Sequence, residues 1–300
     1  MLPAALALSA GAGLLIWGVA VGPRRLVVEC HDLRLPHLPP CWAGERIALL
    51  ADMQVGMALG NEAVAARAVR HVVAHRPAAV LLAGDYVLHP ETEAERHARI
   101  TLALDVLRPL TCAGLRVFAV LGNHDYQEPD DEAGGAPLER QVQEALESLG
   151  IDVLRNRSVP LRAPRGGTDD CLYIAGLGEF RMGDDDRHAA FAGVPSDAPR
   201  IVLVHNPEAF RRLPPYSAPV ALAGHTHGSQ VAFTRGAPRP WWMRAARLAR
   251  DLQHGSGWAA EDFGQPGNRL YISRGIGFSR APIRINAPPE LTYFTLRPAA

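Results

Sequence analysis

Three hundred residues with 31 basic and 31 acidic side chains carry no net charge, which removes any bulk electrostatic case for nucleic-acid binding. Every basic side chain is an arginine, a pattern of coding bias, so arginine abundance by itself says little about anion binding. Four cysteines without paired spacing exclude a disulfide scaffold and a thiolate metal site.

The chain opens on Leu2–Val21, an uncharged stretch of about the twenty residues that a bilayer crossing needs, followed directly by Arg24 and Arg25. A cleaved signal peptide is the rival, with small residues at Ala20-Val21-Gly22, but no basic residue precedes the stretch and its apolar part is long for a signal core. The expectation is a retained single-pass anchor over residues 1–23 in the inner membrane. The positive-inside bias then puts the catalytic body, residues 24–300, on the cytoplasmic side. Residues 26–41 read as an extended lead-in, broken by prolines at 36, 39 and 40.

Five apolar runs follow, at Ile47–Ala51, Ala79–Ala83, Arg116–Leu121, Ile201–Val204 and Val220–Ala223, each short enough for a buried strand. Helical spacing appears over Asn61–His75, stopped by Pro77, over about Glu91 to Leu107, and over Leu138–Leu149, stopped by Gly150. Shorter β-like runs are Val153–Leu154, Leu172–Ala175, Leu270–Ser273 and Leu291–Leu296. The 163–170 segment and Asp184-Asp185-Asp186 read as solvated loops, and Trp241–Arg250 as a surface helix or a membrane-surface segment. This alternation fits a sheet-based α/β domain with helices outside.

The polar residues are not scattered. Each of the five runs ends on them: Asp52-Met53-Gln54, Gly84-Asp85, Gly122-Asn123-His124-Asp125, His205-Asn206 and Gly224-His225-Thr226-His227-Gly228. Carboxyl ends of buried strands are where α/β folds gather active sites. Asp52, Gln54, Asp85, Asn123, His205, His225 and His227 form a carboxylate, amide and imidazole set suited to Mn, Fe or Zn. Two ions roughly 3.5–4 Å apart would need a bridging carboxylate, and Asp85, just after a strand-end glycine, is the candidate. Such a pair would lower the pKa of a bridging water and clamp a phosphoester through in-line attack. In extended backbone Asn123 and His124 would point apart, so one can bind metal while His124 donates a proton to the leaving oxygen. Asp125 is then placed to orient the His124 ring.

Taken together, these motifs resemble the calcineurin-like metallophosphoesterase superfamily over about residues 46–228. The resemblance implies a two-sheet β-sandwich flanked by helices, with two divalent metal ions at the strand ends. One ion would use Asp52, Gln54, Asp85 and His227, and the other Asp85, Asn123, His205 and His225. The ending from Gly275-Ile276-Gly277 to Ala287-Pro288-Pro289-Glu290 is similar to a membrane-associated bacterial branch, which includes enzymes acting on UDP-2,3-diacylglucosamine. Two positions depart from the family pattern: Gln54 where histidine is usual, and Leu88 where an acidic residue is common. A glutamine carbonyl is a weaker ligand than imidazole for zinc or iron, which favours manganese at that site. The function expected is hydrolysis of a phosphodiester or pyrophosphate in a nucleotide- or lipid-linked substrate. The alternative is a membrane-tethered metal-binding module of the same fold with little or no turnover.

Overall fold

Strand periodicity decides the layering. In Arg46–Leu50 (β2), Ala79–Ala83 (β3) and Val117–Val120 (β4), successive residues point to opposite faces, and both faces are buried. Ala48, Leu50, Val80, Leu82 and Ala119 therefore meet the helices, whereas Ile47, Leu49, Leu81 and Phe118 meet a second sheet. A computed structural model of the chain describes residues 11–57, 60–88, 90, 92–127, 136–165, 167, 170–232, 255–279 and 281–299.

The first sheet contains Val27–Leu35 (β1), β2, β3, β4, Asp152–Val153 (β5) and Glu290–Pro298 (β12). Its order is β1-β12-β2-β3-β4-β5, parallel except where β12 meets β2. The second contains Arg157–Arg162 (β6), Cys171–Gly176 (β7), Arg200–Leu203 (β8), Ala221–Ala223 (β9), Gly257–Trp258 (β10) and Leu270–Ile272 (β11). Its order is β10-β11-β9-β8-β7-β6, with only the two edge pairs antiparallel. Ile174, Leu203 and Leu222 of this sheet close the core against Leu49, Leu81 and Phe118 of the other. Helices Glu62–His75 (α1), Glu93–Cys112 (α2) and Leu138–Ser148 (α3) cover the outer face of the first sheet. Short helices Arg187–Phe191 (α4) and Pro207–Phe210 (α5) cover the outer face of the second. The expected sandwich is the observed one.

Three elements bear on expectation. The second helix runs on through Pro109 to Cys112. A proline in the last turn forfeits one hydrogen bond, while Leu110 beyond it is fully buried. The lead-in is extended as expected, and Val27–Leu35 joins the core sheet by pairing with β12 along its whole length. Finally, among the described residues, which leave out 1–10 of the expected anchor, no helix is long and apolar enough to cross a membrane. Residues 11–16 are helical, Trp17–Val21 is a π-helical turn and Gly22–Arg24 a 3-10 turn. Pro23 lacks an amide donor and cannot continue a helix rod, and Gly18, Gly22 and Pro23 are buried rather than free. Residues 1–10 of that stretch, and all of Trp241–Arg250, lie outside the described residues.

Candidate metal centre

All five strand ends converge on one point, β2, β3 and β4 from one sheet and β8 and β9 from the other. The turns are laced by backbone bonds: Asp52 N–H donates to the Gly84 carbonyl at 2.9 Å, Gln54 N–H to that of Asp85 at 3.0 Å, and Gly224 N–H to that of His205 at 3.1 Å. Asp52, Gln54, Asp85, His225 and His227 all have positive φ, from 40° to 73°. Each such non-glycine residue costs about 1–3 kcal/mol and persists only where its surroundings over-determine it. Gly122 lets two turns touch, since a Cβ there would lie 2.2 Å from Asp85 Oδ1.

Two groups of ligand-bearing side chains result, Asp85 with His205 and His225, and Asp52 with Asp85 and His227, the atoms of each within 4.8 Å of one another. Asp85 belongs to both. Its Oδ1 is 3.3 Å from His205 Nε2 and its Oδ2 3.1 Å from Gln54 Nε2. Asn123 Oδ1 and His225 Nδ1 are each 3.1 Å from His205 Nε2. His205 Nδ1 donates to the Ala83 carbonyl at 2.7 Å, which turns Nε2 into the cluster and fixes the ring. Asp52 accepts the His225 N–H on both oxygens, at 2.9 and 3.1 Å, and its Oδ1 lies 3.7 Å from His227 Nε2. Gln54 also belongs here: its Oε1 is buried with no hydrogen-bond partner. A buried, unsatisfied carbonyl oxygen on a side chain that reaches the Asp85 carboxylate fits a hard or borderline cation.

The electrostatics of the cluster's own side chains show the same crowding. Burial raises the Asp85 carboxyl, but the attraction of His205 and His124 outweighs it and holds the group well below the usual range. Burial pushes Asp52 up to about 7 against the pull of His205. Burial lowers His205, yet the Asp85 carboxylate carries it up to about 10. Burial and the charge of His205 drive His225 down to about 3, and burial together with Arg284 holds His227 well below its ordinary value. The Asp85 carboxylate and the His205 ring are thus the attracting pair of this packed set.

His124 and Asp125 behave differently from the sequence expectation. Asn123–Asp125 is a 3-10 turn rather than extended backbone. His124 is the more accessible of the pair: its backbone N–H donates to Asp85 Oδ1 at 2.9 Å, and its Nε2 is 4.0 Å from Asp85 Oδ2. Asp125, expected to orient that ring, instead accepts four backbone N–H groups: those of Gly122, Asp85 and Tyr86 at 2.8 Å and that of Val87 at 3.2 Å. It ties the β3 turn to the β4 turn. In the acidic run, Asp184 is no bare solvated loop residue either, because it accepts from Tyr126 Oη and Arg155 Nε, both at 2.6 Å.

Two residues near the cluster escaped the sequence reading. Glu179 follows the end of β7, is 1 % exposed, and its Oε2 accepts the Met182 N–H at 3.0 Å. The signal was available, since Leu172–Ala175 ends on a glycine-flanked acid like the other runs. Arg284, between two isoleucines, is also 1 % exposed and lies 3.4 Å from His227 Nδ1. Nothing local in the sequence marks it.

The sequence profile described as calcineurin-like phosphoesterase matches residues 45–229. A UDP-2,3-diacylglucosamine pyrophosphatase, LpxG, of Chlamydia muridarum is 26 % identical over 92 % of this chain and 91 % of its own. The phosphodiesterase YaeI of Escherichia coli is 29 % identical over 84 % of this chain and 82 % of its own. The uncharacterised metallophosphoesterase YkuE of Bacillus subtilis is 25 % identical over 98 % of this chain and 93 % of its own.

Proposed function

This chain belongs to the calcineurin-like phosphoesterase family, and from that premise we propose a hydrolase with a dinuclear metal centre acting on a phosphodiester or pyrophosphate. The carrying observation is the position of Asp85, shared by both groups of candidate ligands. Asp52, Gln54, Asp85 and His227 would hold one ion, and Asp85, Asn123, His205 and His225 the other. A pair of divalent ions supplies Lewis-acid activation of water and neutralises phosphoryl charge.

The chain's own residues do the rest. The Ala83 carbonyl holds the His205 ring in the tautomer that presents Nε2. The two bonds from the His225 N–H fix the Asp52 carboxylate. His124, pinned through its backbone to Asp85 and partly open to solvent, donates a proton from its ring to the leaving oxygen. A lipid- or nucleotide-linked substrate is part of the proposal, drawn from the substrate in the name of the Chlamydia muridarum relative. Manganese is the favoured ion because Gln54 offers oxygen where imidazole would favour zinc or iron. Placement at the cytoplasmic face of the inner membrane is proposed on Arg24 and Arg25 alone.

The test is hydrolysis of an aryl phosphodiester against an aryl monophosphate, with metal content measured on the same preparation. Asp85→Asn should lose bound metal and hydrolysis together, since one carboxylate serves both groups. Full loading and near-normal turnover in that variant would refute the shared-ligand arrangement.

A further inference from the structure

The stretch before Arg24 is seated on the Ile283-Arg284-Ile285 loop that backs the candidate metal centre. Arg284 N–H donates to the Gly18 carbonyl at 2.8 Å. Gly22 lies so close that a Cβ there would come within 1.9 Å of the Arg284 carbonyl oxygen. The backbone of Arg284 is thereby held from outside by the N-terminal turns. Its side chain points the other way, into the protein. The guanidinium donates to the carbonyls of Gly277 and Arg274 at 2.9 Å and of Ala287 at 2.8 Å, and stands 3.4 Å from both the carbonyl and Nδ1 of His227. The same loop reaches Asp52, whose carbonyl accepts the Gly277 N–H at 2.7 Å. One continuous set of contacts runs from Gly18 and Gly22 through Arg284 to His227 and Asp52.

We propose that the N-terminal turns are a splint for one half of the metal centre, with Arg284 as the positioning residue that carries their hold to His227 and Asp52. The inference rests on the dinuclear reading above and adds to it. The other half, His205, His225 and Asn123, stands on the β8, β9 and β4 turns, with His205 held by the Ala83 carbonyl. Its tie to the first half is the His225 N–H on Asp52, and the hydrogen bonds of Arg284 reach none of its side chains. Loosening the splint should therefore weaken one ion and spare the other. Residues that orient metal ligands from outside are worth about 10–100-fold in affinity.

Mn2+ alone is the probe, titrated into the full-length protein with free Mn2+ read by electron paramagnetic resonance. The parent should bind two ions. Gly22 has φ −50°, so Gly22→Ala adds no backbone strain, only the clash with Arg284. It should weaken one ion by about tenfold or more and leave the other as in the parent. Gly18→Ala meets side-chain atoms of Ile285 and Ile283 first, at 2.7–3.1 Å, rather than the Arg284 backbone, and should weaken the same ion less. Gly13→Ala, into open space, should change nothing. Binding curves for Gly22→Ala and Gly18→Ala that superimpose on the parent's, or equal weakening of both ions, would overturn the proposal. If Gly22→Ala does not fold, Gly18→Ala decides alone by the same criterion. A parent that binds fewer than two ions refutes the dinuclear reading itself, and the splint with it.

Discussion

Replacing Asp125 separates two roles that its place in the motif confounds. If it oriented the His124 ring, Asp125→Ala would slow turnover and spare stability. The structure assigns it the opposite weight. Its carboxylate is fully buried and satisfies four backbone amides from two different turns. Leaving a buried amide unpaired costs about 1–3 kcal/mol. Water entering the vacated space recovers part of that, and burial beside Asp85 already pushes the carboxyl up to about 7, so its charge is only partly present at neutral pH. A loss of at least about 3 kcal/mol remains. At about 2 °C per kcal/mol for a chain of this size, the melting temperature falls by roughly 6 °C. The assay is thermal unfolding in chelator, so that lost metal cannot contribute to the shift. Asp125→Asn, which keeps one acceptor oxygen and turns an amide donor toward two others, should fall between parent and alanine variant. An Asp125→Ala protein that melts with the parent and is merely slow would refute the structural role and restore the catalytic one.

Other outcomes follow from the same geometry. His124→Ala should retain its metal and lose about a hundred- to ten-thousandfold in turnover, with a smaller loss for acidic leaving groups; an equal loss for all leaving groups would mean a binding role. Gln54→His should raise retained zinc or iron toward two ions per chain and remove dependence on added manganese, whereas unchanged stoichiometry would take Gln54 off the ligand set. In the ion-free protein Asp52 is raised to about 7, so its carboxyl is neutral below that pH and an entering ion must displace a proton. Mn2+ affinity should therefore fall by about tenfold per pH unit below about 7, and a flat profile measured by calorimetry from pH 7 to 5.5 would contradict it. The sign for ion-free stability is the reverse: a raised acid contributes stability below its unfolded value of 3.8, and this is lost as pH rises through about 7.

The layered fold was legible because burial on both faces leaves a mark on every residue of a short strand. Ala79–Ala83 has no polar position at all, and its bounds agree with the sequence reading. The edge strands were less legible for the same reason. Val27–Leu35 alternates between partly buried and exposed residues over most of its length, and Arg157–Arg162 places a proline and two arginines in a strand paired on one side. Proline is tolerated on such an edge, but it reads as a break. In the N-terminal stretch apolar character was legible and packing was not. Hydropathy counts apolar residues and is blind to where Gly18 and Gly22 let one backbone lie against another.

Within the site, residue identity was legible and orientation was not. A histidine or carboxylate at a strand end is visible in one dimension; the φ of 53° at Asp52 or 73° at His225 is not, because neither residue type announces a left-handed turn as glycine does. Extended geometry was therefore the natural assumption for Asn123 and His124, and a 3-10 turn replaced it. What enforces these turns comes from far along the chain: the Gly84 carbonyl on Asp52, Asp125 on Asp85, and the His225 amide on the Asp52 carboxylate. Each bond joins segments that only the closed sandwich brings together. The candidate ligands are thus held by hydrogen bonds between turns of the two sheets, in which backbone amides and carbonyls both take part, and their strain has a cause that does not require an ion. Metal removal should for that reason leave the turns folded, with the buried Asp52 carboxyl taking up a proton as pH falls through about 7.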